Sequence, residues 1–390
     1  MSGNVWRLEA FRALFWMHFV AAVLVPFFTE WGGLTLAQVL TLNAWFMAWN
    51  FLLEIPTGAV ADFFGRRWSI VLGGAVTALG SLVYASTPRY EVFLLAEVIF
   101  ALGYTLVSGA DEALLYDSLV ATGRAGQASR HIARLQAAQL VGLVTGALGG
   151  GLIAGAWGVR APLACQAIPI AAAALLATSL VEPTTPVART RAVTYRTLLV
   201  SGLHRLGRDP RLRVVAADTV LASAFVWTLI WLYQPLLLRA GVSQRWFGVI
   251  HAAICVAQIA VLRSIDRLVP IAGGRARYLR LAAAVPALAM LALAWTPPPA
   301  ATIVLILLAM GIGLTRTPIA SSVLNAAADA EGRATLLSTV SMLRTLAVCA
   351  VNPVAGALAD RSLGTAMQAL GLAMLAVAAL SPLRERHLAD

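Results

Sequence analysis

The sequence predicts an all-α membrane protein whose twelve transmembrane helices form two six-helix halves. Three observations carry that prediction. Of 390 residues, 60% are apolar and only 12% are charged, about half the roughly 25% charge of a soluble domain. The mean hydropathy is +0.81, which leaves too little polar surface to cover a water-soluble globule. Apolar stretches of about 20 residues, long enough to cross a bilayer, recur twelve times with one long hydrophilic interruption. Secreted disulfide scaffolds, disordered regulators and ordinary soluble enzymes are thereby excluded.

The spans fall near 12–30, 36–61, 68–87, 92–119, 134–156 and 161–181, then 213–237, 246–263, 278–296, 300–324, 335–358 and 365–382. Between the two sets lies an arginine-rich stretch that opens Glu182-Pro183-Thr184-Thr185-Pro186. The expected division is therefore residues 1–182 for an N-terminal bundle, 183–212 for a cytoplasmic loop and 213–390 for a C-terminal bundle. The run from Leu14 to Phe28 lacks a small-residue cleavage site, so it reads as a span and not as a removed signal.

Charge placement orients the chain. All 29 basic residues are arginine and the formal net charge is +11. These arginines cluster between apolar stretches, which suits anionic lipid headgroups, and no nucleic-acid-reading module accompanies them. With both termini cytoplasmic, inside loops and tails collect 22 arginines and outside loops only five, namely Arg89, Arg160, Arg239, Arg245 and Arg361. Arg316 and Arg344 are left within spans. That bias predicts a multi-pass protein of the plasma (inner) membrane. Cys165, Cys255 and Cys349 stand apart with no metal-ligand spacing, and neither a metal nor a disulfide is expected.

An internal repeat is also visible. Gly103 to Asp117 and Gly311 to Asn325 share one spacing, and each is followed by a Gly-Arg pair, Gly123-Arg124 and Gly332-Arg333. Repeated halves are how many secondary transporters build a central site.

Between spans two and three the chain reads Glu54-Ile55-Pro56-Thr57-Gly58-Ala59-Val60-Ala61-Asp62-Phe63-Phe64-Gly65-Arg66-Arg67. This resembles the loop signature of the major facilitator superfamily, GxxxD-x-x-G-R-R, at the family's position, with Phe63 where an arginine is usual. Spans, division and central loop extend the resemblance over the whole chain. It implies a secondary transporter, not an enzyme, that works by alternating access as a monomer in the lipid bilayer. Its partners would be a small-molecule substrate and protons, with no cofactor and the proton gradient as energy source. No GxxxxGK[ST] motif is present, so ATP is not expected to drive it.

Within the signature, Gly58 would permit close helix approach and Gly65 a tight turn. Arg66 and Arg67 would anchor the loop or simply mark the inside. The resemblance places Asp62 near the start of span eleven, around Thr335, as an inner latch, with Asp117 within reach of Arg66. Span five carries glycines from Gly142 to Gly151, resembling the glycine-rich fifth helix of drug–proton antiporters, with Ala147 where that motif has proline. Close helix packing explains those glycines equally well.

Ionisable groups in lipid are costly and mark function. Read as one continuous helix, span four puts Glu97, Tyr104, Ser108 and Asp111 on a single stripe, with Glu112 at its edge. An acid without a counter-charge escapes the burial cost by taking up a proton, so Glu97, Asp111, Glu112 and Glu54 are the expected coupling residues. Expected cavity residues are Asn43, Asn50, Tyr104, His251, Gln258, Arg316 and Arg344. Trp227, Trp231 and Gln234 either join that cavity as an aromatic wall or pack against helices and lipid. The expected function is proton-coupled export of a small amphipathic compound, drug-like or a metabolite. The alternative is uptake or exchange of a zwitterionic or anionic metabolite drawn to Arg316 and Arg344.

Overall fold

The computed structural model describes residues 3–183, 195–326 and 330–388, and among these the regular structure is helical, with no strand. Among the described residues nine helices are long and apolar enough to cross a membrane, and two shorter apolar helices cover Ala161–Ala177 and Pro299–Gly313. The first expected span is the exception. It is the helix Asn4–Phe15, followed by short turns of 3-10, α and π geometry that end at Trp31. The central stretch 184–194 lies outside the described residues.

By its contacts the chain divides into two units. One holds Met1–Leu34, Trp45–Val193 and Gln244–Ala252, and the other holds Thr35–Ala44, Thr194–Ser243 and Ala253–Asp390. The first packs a core around Phe11, Phe15, Ile70, Leu114 and Ile170, and the second around Val215, Leu279, Val323 and Leu336.

Both units start one helix in the same way. Gly65 takes φ +96° and Gly274 φ +121°, conformations open to glycine. After each turn a carboxylate from a distant segment covers the new helix's free N–H groups. Glu182 accepts from Arg66 and Arg67 N–H at 3.0 and 2.9 Å, and Glu385 accepts from Ala276 N–H at 2.7 Å. An anion at a helix N-terminus answers both the unpaired donors and the helix dipole.

The glycines of span five have a packing role. Along the helix Ala128–Trp157, a β-carbon on Gly142, Gly146 or Gly150 would overlap the backbone of Ala13, His18 or Phe19. The stripe therefore lets two segments touch backbone to backbone, and it carries no separate signal for drug–proton exchange. Gly150→Ala is expected to lose about 1–3 kcal/mol, the usual cost of overpacking. Gly155→Ala faces open space and should be neutral or stabilising. Thermal unfolding of the two purified variants in detergent checks this, and equal midpoints would contradict it.

Candidate functional site

Span four is not continuous. Ser108 turns to ψ 123°, Gly109 adopts φ +74°, and a new helix runs Ala110–Ala121. The expected stripe from Glu97 to Asp111 is thus broken, because a left-handed glycine resets the helical phase. The break puts Asp111 and Glu112 in the first turn of the new helix, where carboxylates suit the dipole.

These acids do not lack an arginine, contrary to expectation. Arg12, in the helix Asn4–Phe15, reaches Asp111 Oδ2 at 2.7 Å and Glu112 Oε1 at 2.9 Å. The Asp111 side chain is 1% exposed and that of Glu112 is 41% exposed. One guanidinium therefore serves two carboxylates, one sealed and one exposed, and the cluster carries one formal negative charge in excess. Arg12 was missed because an arginine near the start of a span reads as a topology signal.

Aromatic groups gather one turn beyond Arg12. Trp16 and Tyr104 have ring centroids 5.6 Å apart, Trp16 and His18 5.2 Å, and Phe46 and Tyr104 5.8 Å. Tyr104 Oη and His18 Nε2 share a hydrogen bond of 2.9 Å. His251 lies within electrostatic reach of His18. Glu97 is buried and hydrogen-bonded to Tyr84, away from open water. Glu54 is exposed, and its carboxylate makes no hydrogen bond or ion pair among the described residues. The Asn50 amide donates to Phe46 O of its own helix at 2.9 Å.

In the second unit most expected cavity residues turn out to be sealed. Arg316 is 1% exposed and pairs with Asp218, while donating to Leu279 O. Ser381 Oγ donates to the other Asp218 oxygen at 2.8 Å. Arg316 is therefore a buried structural charge and no free anion receptor. Asn43 accepts from the Asn352 amide at 2.6 Å, and Asn352 accepts from Thr228 Oγ1 at 2.7 Å, all three buried. Gln234 is buried and donates to Tyr233 Oη at 2.9 Å. Neither Asn43 nor Gln234 lines open space. Trp231 is buried and Trp227 is 38% exposed. Gln258 is half-buried. Arg344 is the contrast: it is exposed and makes no ion pair or hydrogen bond among the described residues.

The two ion-paired sites occupy equivalent places in the repeat. Asp218 follows Arg12 by 206 residues, and Arg316 follows Asp111 by 205. The helices that carry Arg12 and Asp218 begin at Asn4 and Pro210, again 206 apart. The sign of each charge is exchanged between halves. The second pair is balanced and closed, whereas the first holds the extra acid, Glu112.

The signature loop is only partly as expected. Arg66 pairs with Asp117, and Arg67 donates to Thr178 O at 2.5 Å. Gly58 meets open space, so no helix among the described residues approaches closely there. Asp62 is exposed without a partner among the described residues, and the side chain of Thr335 lies outside them. The expected latch of Asp62 therefore falls outside the described residues, and a helix cap of that kind is seen elsewhere, at Asp360. It accepts from Leu36 and Ala37 N–H at 2.7 and 3.2 Å. Among the described residues, no group of three His, Cys, Asp or Glu could hold a metal.

A family model described as Major Facilitator Superfamily matches residues 10–349. The fold is similar to that of the nucleoside transporter NupG, with a TM-score of 0.78 and 16% identity over 97% of this chain and 96% of that one. A bacterial homolog to the human lysosomal transporter Spinster, inward-facing and unoccupied, gives 0.74 and 16% over 97% and 94%. The POT family transporter PepTSo gives 0.75 and 12% over 100% and 98%. No match is found among curated proteins. Identities this low describe a shared fold alone.

Proposed function

The chain belongs to the major facilitator superfamily, a family of membrane transporters, and from that premise we propose that it exports a small cationic amphipathic compound in exchange for protons. The observation that carries this reading is the Arg12–Asp111–Glu112 cluster, with its one excess carboxylate exposed. A proton and an organic cation both satisfy that excess charge, and they exclude each other. A single site that holds one or the other exchanges them, and an inward proton gradient then drives the cation out. Trp16, Tyr104 and Phe46 supply ring faces suited to an aromatic, cationic molecule. The same reading puts the arginine-rich face and both termini in the cytoplasm, the protein in the inner membrane as a monomer, and the proton gradient as sole energy source.

The test uses protein reconstituted in vesicles with an acidic interior and a pH-sensitive dye inside. Aromatic quaternary ammonium cations, which cannot cross the bilayer as neutral bases, are expected to raise the interior pH as protons leave in exchange. No response to any such cation, with a response to carboxylates instead, would overturn the proposal. Arg344 favours that second reading, uptake of an anionic or zwitterionic metabolite, because it makes no ion pair or hydrogen bond among the described residues. On the second reading Arg344→Ala abolishes transport and Arg344→Lys preserves part of it, since a guanidinium cannot shed its charge and must face an anion or water. On the first reading all three proteins exchange the quaternary ammonium cations alike.

A further inference from the structure

The second unit has a groove of about 340 Å3 between the helices Pro210–Arg239 and Leu363–Leu380. Its walls are apolar, formed by residues such as Ala217, Leu221, Val377 and Leu380, and Arg213 stands at one end. Arg213 and Leu221 are eight residues apart on one helix, so the groove runs about 12 Å along it. Asp218 contributes to the floor. Its carboxylate is already held by Arg316 and Ser381, so the floor offers no free negative charge. Arg213 is exposed and its hydrogen bond to Gly207 O is long, at 3.5 Å. Arg384, two residues beyond the lining Pro382, is exposed as well.

We propose that this groove is a binding site for one acyl chain of an anionic phospholipid, whose phosphate sits on Arg213. In a membrane a concave apolar surface is filled by hydrocarbon, and the Arg213 charge at its end, without an ion pair among the described residues, selects the headgroup. An arginine near the surface favours an anionic headgroup about fivefold over a zwitterionic one. A cationic lipid is repelled by Arg213 and finds no free acid deeper in. The site is separate from the Arg12 cluster, so it holds whether or not the chain exchanges protons.

The experiment equilibrates the full-length protein with mixed vesicles of phosphatidylglycerol and phosphatidylcholine, then counts retained lipids by native mass spectrometry. The parent is expected to retain phosphatidylglycerol about fivefold over phosphatidylcholine. Arg213→Ala should lose the preference and Arg213→Lys should keep it. Ala376→Phe, which fills the groove, should lose the lipid itself, and Ala217→Leu gives the same test should that variant fail to fold. Arg267→Ala, an exposed arginine outside the groove, should behave as the parent does. Equal retention of both lipids by the parent overturns the site. So does a preference that survives both Arg213→Ala and Ala376→Phe, or one that Arg267→Ala weakens as much as Arg213→Ala does. Displacement of the lipid by a transported amine would show a substrate path instead, and would overturn it too.

Discussion

Arg316→Ala is expected to lower stability by about 3–5 kcal/mol, the cost of leaving one partner of a buried ion pair alone. Arg316 is 1% exposed and its guanidinium is shared between Asp218 and Leu279 O. Removing it leaves the Asp218 carboxylate, 8% exposed, with only Ser381 as partner. The neighbouring Tyr278 and Thr315 hydroxyls are buried and already bonded to each other at 3.1 Å. Replacing both charges, as Asp218→Leu with Arg316→Met, should recover most of the stability, because well-packed apolar groups often match or exceed a buried pair. Chemical denaturation in detergent of the two single variants and the double variant separates the cases. Equal stability of the single and double variants would show that no buried charge had been stranded. The result also bears on function, since an arginine that mainly binds substrate would reduce transport while leaving stability intact.

Much of this architecture was legible in the sequence, for identifiable reasons. Apolar length is set by the bilayer, a uniform solvent, so most of the spans could be counted from the sequence. The Gly65 turn could be read because it rests on local backbone geometry, and Asp117 could be matched to Arg66 because both flank one face of the membrane. What escaped was whatever depends on packing between distant segments. The break at Ser108–Gly109 lies in an apolar run that reads as helix, and only its tertiary setting decides otherwise. Asp218 and Asn352 went unremarked because their partners stand 98 and 309 residues away. Asn43 and Gln234 were taken for cavity residues because a polar residue in a span signals burial or a cavity equally well. The 206-residue spacing held one further signal. Aligning the halves on it would have set Arg12 opposite Asp218 and Asp111 opposite Arg316, and so suggested two ion pairs of exchanged sign.

That exchange isolates Glu112 as the residue whose loss should cost the most function. In the balanced half a single acid meets a single arginine, and the pair is closed to water. In the other half Arg12 needs only one counter-charge, and Asp111, buried and 2.7 Å away, supplies it. Glu112 is the surplus, exposed and still bonded to Arg12 at 2.9 Å. Glu112→Gln keeps the shape and the hydrogen-bonding capacity but removes the charge that a proton or a cation would neutralise. Under the proposed exchange, each pH unit across the membrane is worth about 1.4 kcal/mol per proton, a tenfold ratio of cation at steady state. The parent should therefore build roughly a tenfold cation gradient per pH unit, and Glu112→Gln should build none. Asp111→Asn should do different damage. It leaves Arg12 to Glu112 alone, so the surplus disappears and the open carboxylate becomes the structural partner, with loss of both coupling and stability. Exchange of one proton for one monovalent cation moves no net charge, so an imposed membrane potential should leave the parent's gradient unchanged. Vesicles with a set pH difference, a valinomycin-clamped potential and a fluorescent quaternary ammonium cation measure all three quantities. A Glu112→Gln protein that still concentrates the cation as the parent does would remove the surplus acid from the mechanism, and with it the argument from the exchanged signs.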